Sequence, residues 1–212
     1  MKIISIKDFN IPDVKIIRFA RFCDQRGYFS ESFRDSDFYN NPEMEFMKGM
    51  AFVQMNESYS RLLTIRGLHF QWNPFMGKLV RTLRGRMVDL MLDIRKGSST
   101  FGMASMYDMP ACLERDYTEW IWVPPGFAHG NFFTEDSQIE YLCTGEYSPG
   151  CEAGISPLAK DINWSLADGS LKKEFDSIAV KTTLMTDKDR DGFSLKAWLN
   201  DDRSGNFIYG KC

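Results

Sequence analysis

The sequence predicts a mainly β protein arranged as a sandwich or barrel. Three observations carry this. Across residues 52–143 short apolar runs are closed by turn residues, and helical periodicity is weak. Trp120-Ile121-Trp122-Val123 is apolar at alternate and intervening positions alike, as a strand buried on both faces would be. Phe101-Gly102, Pro124-Pro125-Gly126 and Ser148-Pro149-Gly150 supply turns between the runs.

Taken in order, residues 35–47 are polar and aromatic without strict alternation and predict a short helix between N-terminal strands. Residues 78–83 and 86–94 predict two strands joined as a hairpin across Arg84-Gly85, with Val88, Leu90 and Leu92 on one face and Asp89 and Asp93 on the other. Further strands are expected at 103–109, 119–123 and 138–143. Past Trp164 the chain becomes charged and mixed, with a helix expected at Leu195–Leu199. No linker composition, internal repeat or low-complexity stretch interrupts the 212 residues, so one domain over 1–212 is expected.

Composition narrows the function. With 43% hydrophobic residues, among them 17 Phe and 12 Met, the chain can bury a core and is not of disordered type. A net charge of −3 gives no electrostatic footprint for a nucleic-acid polymer, although it leaves room for a local basic pocket. Lysines interrupt Met1-Lys2-Ile3-Ile4-Ser5-Ile6-Lys7, and no apolar run reaches membrane-spanning length, so a cytoplasmic protein with no membrane partner is expected. Five cysteines without CxxC spacing fit neither a disulfide framework nor a zinc site.

Only two histidines occur, His69 in Arg66-Gly67-Leu68-His69-Phe70-Gln71 and His129 in Pro124-Pro125-Gly126-Phe127-Ala128-His129-Gly130. Histidine is the side chain suited to move protons near neutral pH, so candidates for a general base are few. Two histidines with no HxH spacing also argue against a metal-dependent oxygenase or isomerase, and neither a metal nor a cofactor is expected. A lone His69 reads by default as a core residue, but Arg66 beside it and Lys78 shortly after would suit an anionic ligand with an acidic proton. Lys78 is either a solvated strand end or a cation for an enolate oxygen. Tyr141 reads first as packing, with a phenol able to donate a proton as the alternative. His129, flanked by Ala128 and Gly130, reads as a structural or pocket-lining residue. The run Asp24-Gln25-Arg26-Gly27-Tyr28-Phe29-Ser30-Glu31 is a surface turn or an arginine fork for phosphate with an aromatic for base stacking.

In order and spacing, these runs resemble one family, the dTDP-4-dehydrorhamnose 3,5-epimerases, cofactor-independent members of the cupin group. The matching pieces are Asp24-x-Arg26-Gly27-x-Phe29-x-Glu31, Gln54-x-Asn56-x-Ser58-x-Ser60, Ile65 through Gln71, Lys78-Leu79-Val80-Arg81, Asp93 through Gly102, the Pro125 to Gly130 turn, Tyr141 with Tyr147-Ser148-Pro149, and Thr186-Asp187-Lys188-Asp189. The resemblance covers roughly residues 10–190. It implies a cupin jelly-roll barrel with a few short helices and a homodimer with N-terminal strands packed across the interface. It also implies that His69 is the base, Asp189 its carboxylate partner, Lys78 the stabiliser of the enolate oxygen, and Tyr141 the acid on the opposite face. Arg26, Phe29, Glu31, Gln54, Asn56 and Arg66 would then hold the nucleotide and pyrophosphate, with His129 shaping the pocket.

The implied activity is inversion of C3 and C5 in a nucleotide-linked 4-keto-6-deoxyhexose, most simply dTDP-linked, within deoxysugar and polysaccharide biosynthesis. A C3-only epimerase keeps the same base and acid, and a non-catalytic nucleotide-sugar binding cupin is the third reading. The family usually reads Ala-His-Gly-Phe where this chain has Asn131, and its Asp-Pro and Trp-Pro stand here as Ser156-Pro157 and Trp164-Ser165.

Overall fold

The structure, a computed structural model, describes residues 1–181 and 184–212. Its strands are β1 (Ile3–Asp8), β2 (Lys15–Ala20), β3 (Phe22–Asp24), β4 (Gly27–Phe29), β5 (Gln54–Ser60), β6 (Ile65–Gln71), β7 (Lys78–Arg84), β8 (Arg86–Asp93), β9 (Ala104–Pro110), β10 (Tyr117–Val123), β11 (Phe127–Phe133), β12 (Ser137–Cys143) and β13 (Glu152–Gly154). The helices are α1 (Asp35–Tyr39), α2 (Gly169–Lys181), α3 (Asp187–Arg190) and α4 (Leu195–Leu199), with 3-10 turns at Pro42–Met47 and Asp202–Asn206. A six-stranded sheet, ordered β1-β2-β10-β7-β12-β5, packs on a five-stranded sheet ordered β13-β6-β11-β8-β9. This is a jelly-roll barrel. Among the described residues, β3 and β4 pair only with each other.

Both sheets are covered on both faces. Between them, Val80, Ile121 and Ile139 of the first meet Met87, Met91 and Phe133 of the second. Outside the first sheet, Trp120, Trp122 and Leu142 are buried under Phe38, Met44 and Met47. Outside the second, Phe70, Leu90 and Phe132 pack beneath Phe175 and Ile178 of α2 and Trp198 of α4. The alternation read in Trp120-Ile121-Trp122-Val123 is therefore a strand with one side in each of two cores. Each fully buried Phe or Leu in these layers contributes about 1.5–3 kcal/mol of transfer free energy.

Several expected elements agree with the structure: strands at β9, β10 and β12, helix α4 over Leu195–Leu199, and a helical segment that begins at Asp35 and breaks into α1 and a 3-10 turn. The expected hairpin does not. β7 and β8 adjoin in sequence, but β7 pairs with β10 and β12, whereas β8 pairs with β11 and β9. One residue, Gly85, separates them at φ +78°, while the favoured tight hairpins use two loop residues. The Arg86 N–H donates to Ser137 Oγ at 3.0 Å, and an ideal Cβ on Gly85 would lie 2.4 Å from that same oxygen. The chain turns a corner from one sheet into the other.

Two elements were not legible. β11 is buried at every position, and its small residues Ala128 and Gly130 show no alternation. α2 mixes charged, small and apolar residues and buries only Phe175 and Ile178, too narrow a stripe to stand out as a helix.

The face of β8 carrying Asp89 and Asp93 is the barrel interior, and both carboxylates are fully buried. Asp93 Oδ1 accepts from the Arg95 backbone N–H and from Arg95 Nε, each at 2.9 Å. Its Oδ2 accepts from Arg95 Nη2 at 2.8 Å, Ser98 Oγ at 2.6 Å and Thr100 Oγ1 at 2.8 Å. Arg95 in turn reaches Asp13 at 2.6 Å and stacks over Phe127 and Tyr209, tying the C-terminal tail to the barrel end. The motif from Asp93 to Gly102 is thus a structural knot away from the cleft described below.

Burial alone would raise the Asp93 carboxyl, but the Arg95 and Ser98 hydrogen bonds outweigh it and hold the group below the usual carboxylate range. A depressed folded-state pKa contributes stability above the unfolded value that is lost as pH falls through the folded one. Asp93→Asn is expected to cost roughly 3 kcal/mol near neutral pH, with the difference from wild type shrinking as the solution is acidified. Urea unfolding of both proteins across acidic pH checks this, and a constant difference across that range would contradict it.

Candidate active site

Close backbone contact between β6 and β11 builds the site. An ideal Cβ on Gly67 would lie 2.6 Å from Gly130 Cα, and one on Gly130 would lie 2.3 Å from the Arg66 carbonyl oxygen. Only glycine allows this approach. It sets His69 and His129, sixty residues apart in sequence, directly across from each other on neighbouring strands. Each imidazole has its own carboxylate. His69 Nε2 lies 2.5 Å from Asp189 Oδ1, and His129 Nε2 lies 2.8 Å and 3.0 Å from the two oxygens of Asp89.

Asp189 arrives from the short helix α3, whose N-cap Thr186 accepts the Asp189 N–H at 3.2 Å. Burial would raise this carboxyl, but hydrogen bonds from His69, with Thr186 and the Gly67 N–H assisting, hold it below the ordinary range. A buried carboxylate at this distance orients the imidazole and fixes its tautomer.

Opposite the two histidines, the other sheet supplies Lys78 at the start of β7 and Tyr141 on β12. Lys78 has no hydrogen-bond or ion-pair partner among the described residues. Burial lowers its pKa against the smaller pull of Cys143, Asp89 and Glu152. Burial raises the Tyr141 phenol, with Asn56 acting in the opposite sense, so the phenol keeps its proton near neutral pH.

His69, Lys78, His129 and Tyr141 sit where two lobes of one cleft meet. One lobe, about 430 Å³, runs past Gln54, Asn56, Gln71, Tyr147 and Glu152. The other, about 290 Å³, runs past Ser58, Arg66, Asn131, Lys188 and Asp189. Gln54 Oε1 accepts the Tyr147 N–H at 2.8 Å and its amide donates to Asn56 Oδ1 at 3.0 Å, which fixes the wall of the larger lobe. Glu152 joins Tyr147 at 2.9 Å to Lys188 at 2.8 Å. Arg66 Nε donates to Ser60 Oγ at 2.9 Å and Nη2 to the Tyr59 carbonyl at 3.1 Å.

The structure therefore brings together His69, Asp189, Lys78, Tyr141, Gln54, Asn56, Arg66 and His129. It does not bring Arg26, Phe29 and Glu31 to this cleft. Arg26 pairs with Asp24 at 2.6 Å on the exposed β3–β4 arm, Phe29 is 67% exposed, and Glu31 holds Arg34 at 2.7 Å and the N-terminal amine at 2.6 Å. The reason is topological, since β3 and β4 pair with neither barrel sheet. Asp89 was legible only as the polar face of a strand, and Glu152 and Lys188 carried no local signal that would have joined them. Among the described residues, no group of three or more His, Cys, Asp or Glu is placed to hold a metal ion.

A jelly-roll barrel with a histidine–carboxylate pair facing a lysine and a tyrosine across one cleft defines a cupin built for proton transfer. The sequence model of the dTDP-4-dehydrorhamnose 3,5-epimerase family matches residues 8–197, and the chain belongs to that family. It is 41% identical over 177 residues to the dTDP-4-dehydrorhamnose 3,5-epimerase of Sinorhizobium fredii, covering 81% of this chain and 86% of that one. It is 37% identical to the enzyme of the same name from Shigella flexneri, over 86% of this chain and 91% of the relative. Among solved structures, the dTDP-6-deoxy-D-glucose-3,5-epimerase of Legionella pneumophila, crystallised with dTDP-4-keto-L-rhamnose, superposes with a TM-score of 0.76 at 30% identity, covering 94% of this chain and 96% of that one.

The depressed Lys78 pKa has a direct readout. Its ammonium should lose its proton at lower pH than the exposed lysines do. NMR titration of reductively methylated protein, with the signal assigned by Lys78→Arg, is expected to show one lysine titrating below the rest. A Lys78 signal that titrates with the others would contradict the burial argument.

Proposed function

We propose that this chain is a 3,5-epimerase of a dTDP-linked 4-keto-6-deoxyhexose, converting dTDP-4-dehydro-6-deoxyglucose to dTDP-4-dehydrorhamnose. The observation that carries the reading is the placement of His69 with Asp189 on one sheet against Lys78 and Tyr141 on the other. A C4 ketone acidifies the hydrogens on both C3 and C5, so removal and return of a proton on opposite faces inverts either centre. His69 takes the proton and becomes an imidazolium stabilised by Asp189. The electron pair from the broken C–H bond forms the enolate, and the Lys78 ammonium, poorly solvated and without a partner, stabilises the charge that develops on the C4 oxygen. Tyr141 then gives its proton to the carbon from the far side, and the ketone is restored. Once His69 has released its proton to solvent and Tyr141 has regained one, presenting the other flanking carbon to His69 repeats the sequence.

Arg66 and Lys188 at the rim of the smaller lobe suit the diphosphate, while Gln54 and Asn56 line the larger one. Arg26, Phe29 and Glu31 fit a different role. The β3–β4 arm carries Phe22, Tyr28 and Phe29 exposed, and edge strand β5 exposes Met55 and Tyr59. Large exposed apolar side chains of this kind mark an interaction surface. A homodimer in which the arm of one copy reaches the cleft of the other accounts for both, within a single cupin-type domain spanning residues 1–212.

Incubation with the 4-keto sugar nucleotide in D2O is expected to place deuterium at both C3 and C5, read by proton NMR. Label at C3 alone would identify a C3-only epimerase, and no label at either carbon would sink the reading. His69→Ala is expected to lower the exchange rate by about 10²–10⁴-fold. Tyr141→Phe should still wash deuterium into the substrate from the His69 side while forming little inverted product. Equal loss of exchange and inversion in Tyr141→Phe would remove the phenol from its assigned role.

A further inference from the structure

Asn131 is the unexplained group in the cleft. It lies on β11 two residues from His129 and lines the smaller lobe with Arg66, Lys188 and Asp189. Its residue is only 6% exposed, and its Oδ1 has no hydrogen-bond donor. An unpaired buried carbonyl has given up its hydration without gaining a hydrogen bond, which destabilises the folded protein. Of the polar groups lining this lobe, His129 is committed to Asp89, Asp189 to His69, Lys188 to Glu152, and Arg66 to Ser60 and Tyr59, while the unpaired Lys78 ammonium makes no hydrogen bond to Asn131. The wall of the lobe thus holds a buried acceptor that no donor among the described residues satisfies.

We propose that Asn131 is a specificity-determining residue whose Oδ1 accepts a hydrogen bond from the substrate sugar, at the hydroxyl on the carbon next to the anomeric centre. This rests on the epimerase reading. The sugar's reacting carbons must lie among His69, Lys78 and Tyr141, where the two lobes meet. Arg66 and Lys188 draw the diphosphate, and with it the anomeric carbon, toward the smaller lobe. The C2 hydroxyl is the ring donor closest to that end, and Asn131 stands opposite Arg66 in the strand register. The ketone at C4 and the methyl on C5 carry no hydrogen-bond donor. A site that leaves a buried acceptor for a ligand hydroxyl discriminates against any sugar lacking it.

The experiment crosses enzyme and substrate variants. Wild type and Asn131→Leu, which keeps the side-chain size and removes the amide, are assayed for kcat/KM on the 4-keto sugar nucleotide and on its 2-deoxy analogue. Wild type should lose about tenfold on the analogue, and Asn131→Leu about tenfold on the full substrate, with almost no further loss when both changes are combined. Asn131→Leu should also melt at a higher temperature than wild type, because the unpaired carbonyl is gone. That pairing separates a ligand acceptor from a structural amide, whose loss would lower the melting temperature and affect both substrates alike. Asn131→Ala, which cannot overpack the lobe, should repeat the kinetic pattern. Independent losses in the cross, or full activity of Asn131→Leu on both substrates, would overturn the proposal. Failure of wild type to exchange deuterium at all would instead overturn the epimerase reading beneath it.

Discussion

Two glycines without room for a side chain hold the site together. Gly67 and Gly130 touch backbone to backbone across β6 and β11, and a Cβ on either would collide with main-chain atoms. Main chain cannot swing aside as a flexible side chain can, so the spacing between these strands is fixed by the absence of carbon. From that spacing follow the side-by-side histidines, the Gly67 N–H available to Asp189, and the common wall from which both lobes open. The chemistry is hung on the tightest point of the five-stranded sheet, where its geometry is least able to drift.

The site also shows how a low-dielectric interior is made to tolerate charge. Four carboxylates are buried, Asp89 and Asp93 inside the barrel, Asp189 beside the cleft and Glu140 on the outer face of the six-stranded sheet. Each has a cationic or ionisable partner: His129, Arg95, Arg81 and His69 for Asp89, Asp93, Glu140 and Asp189 respectively. Unpaired, each would be costly to bury. Lys78 stands apart, a cation among apolar and polar walls with no direct counter-ion among the described residues. Its isolation fits a group whose counter-charge appears only when the substrate becomes an enolate.

Much of this was legible in the sequence, and the reasons differ by residue. Strand rhythm reported the mainly β class because both sheets present strong apolar alternation or continuous burial. Family resemblance reported His69, Lys78, Tyr141 and Asp189, which no periodicity could have joined, since Asp189 lies 120 residues from His69. The supposed hairpin at Gly85 failed because adjacency in sequence is not pairing in space, and only the count of loop residues hinted at the corner. β11 escaped notice because a strand of small residues buried on both faces has no alternation to display. Arg26, Phe29 and Glu31, read by resemblance as ligand groups, lie on and just after the β3–β4 arm, outside the cleft, because that arm's strands are not part of either barrel sheet.

The bond between His69 and Asp189 also orders events in the life of the molecule. The last barrel strand ends at Gly154, and the carboxylate that completes the pair comes later, on α3. A chain emerging from the ribosome carries every barrel strand, both histidines, Lys78 and Tyr141 before Asp189 has been added. The barrel strands are therefore all in hand before the carboxylate that completes the pair, and the His69–Asp189 contact draws a segment from beyond the barrel back onto it, so that one bond both tethers that segment and orients the imidazole.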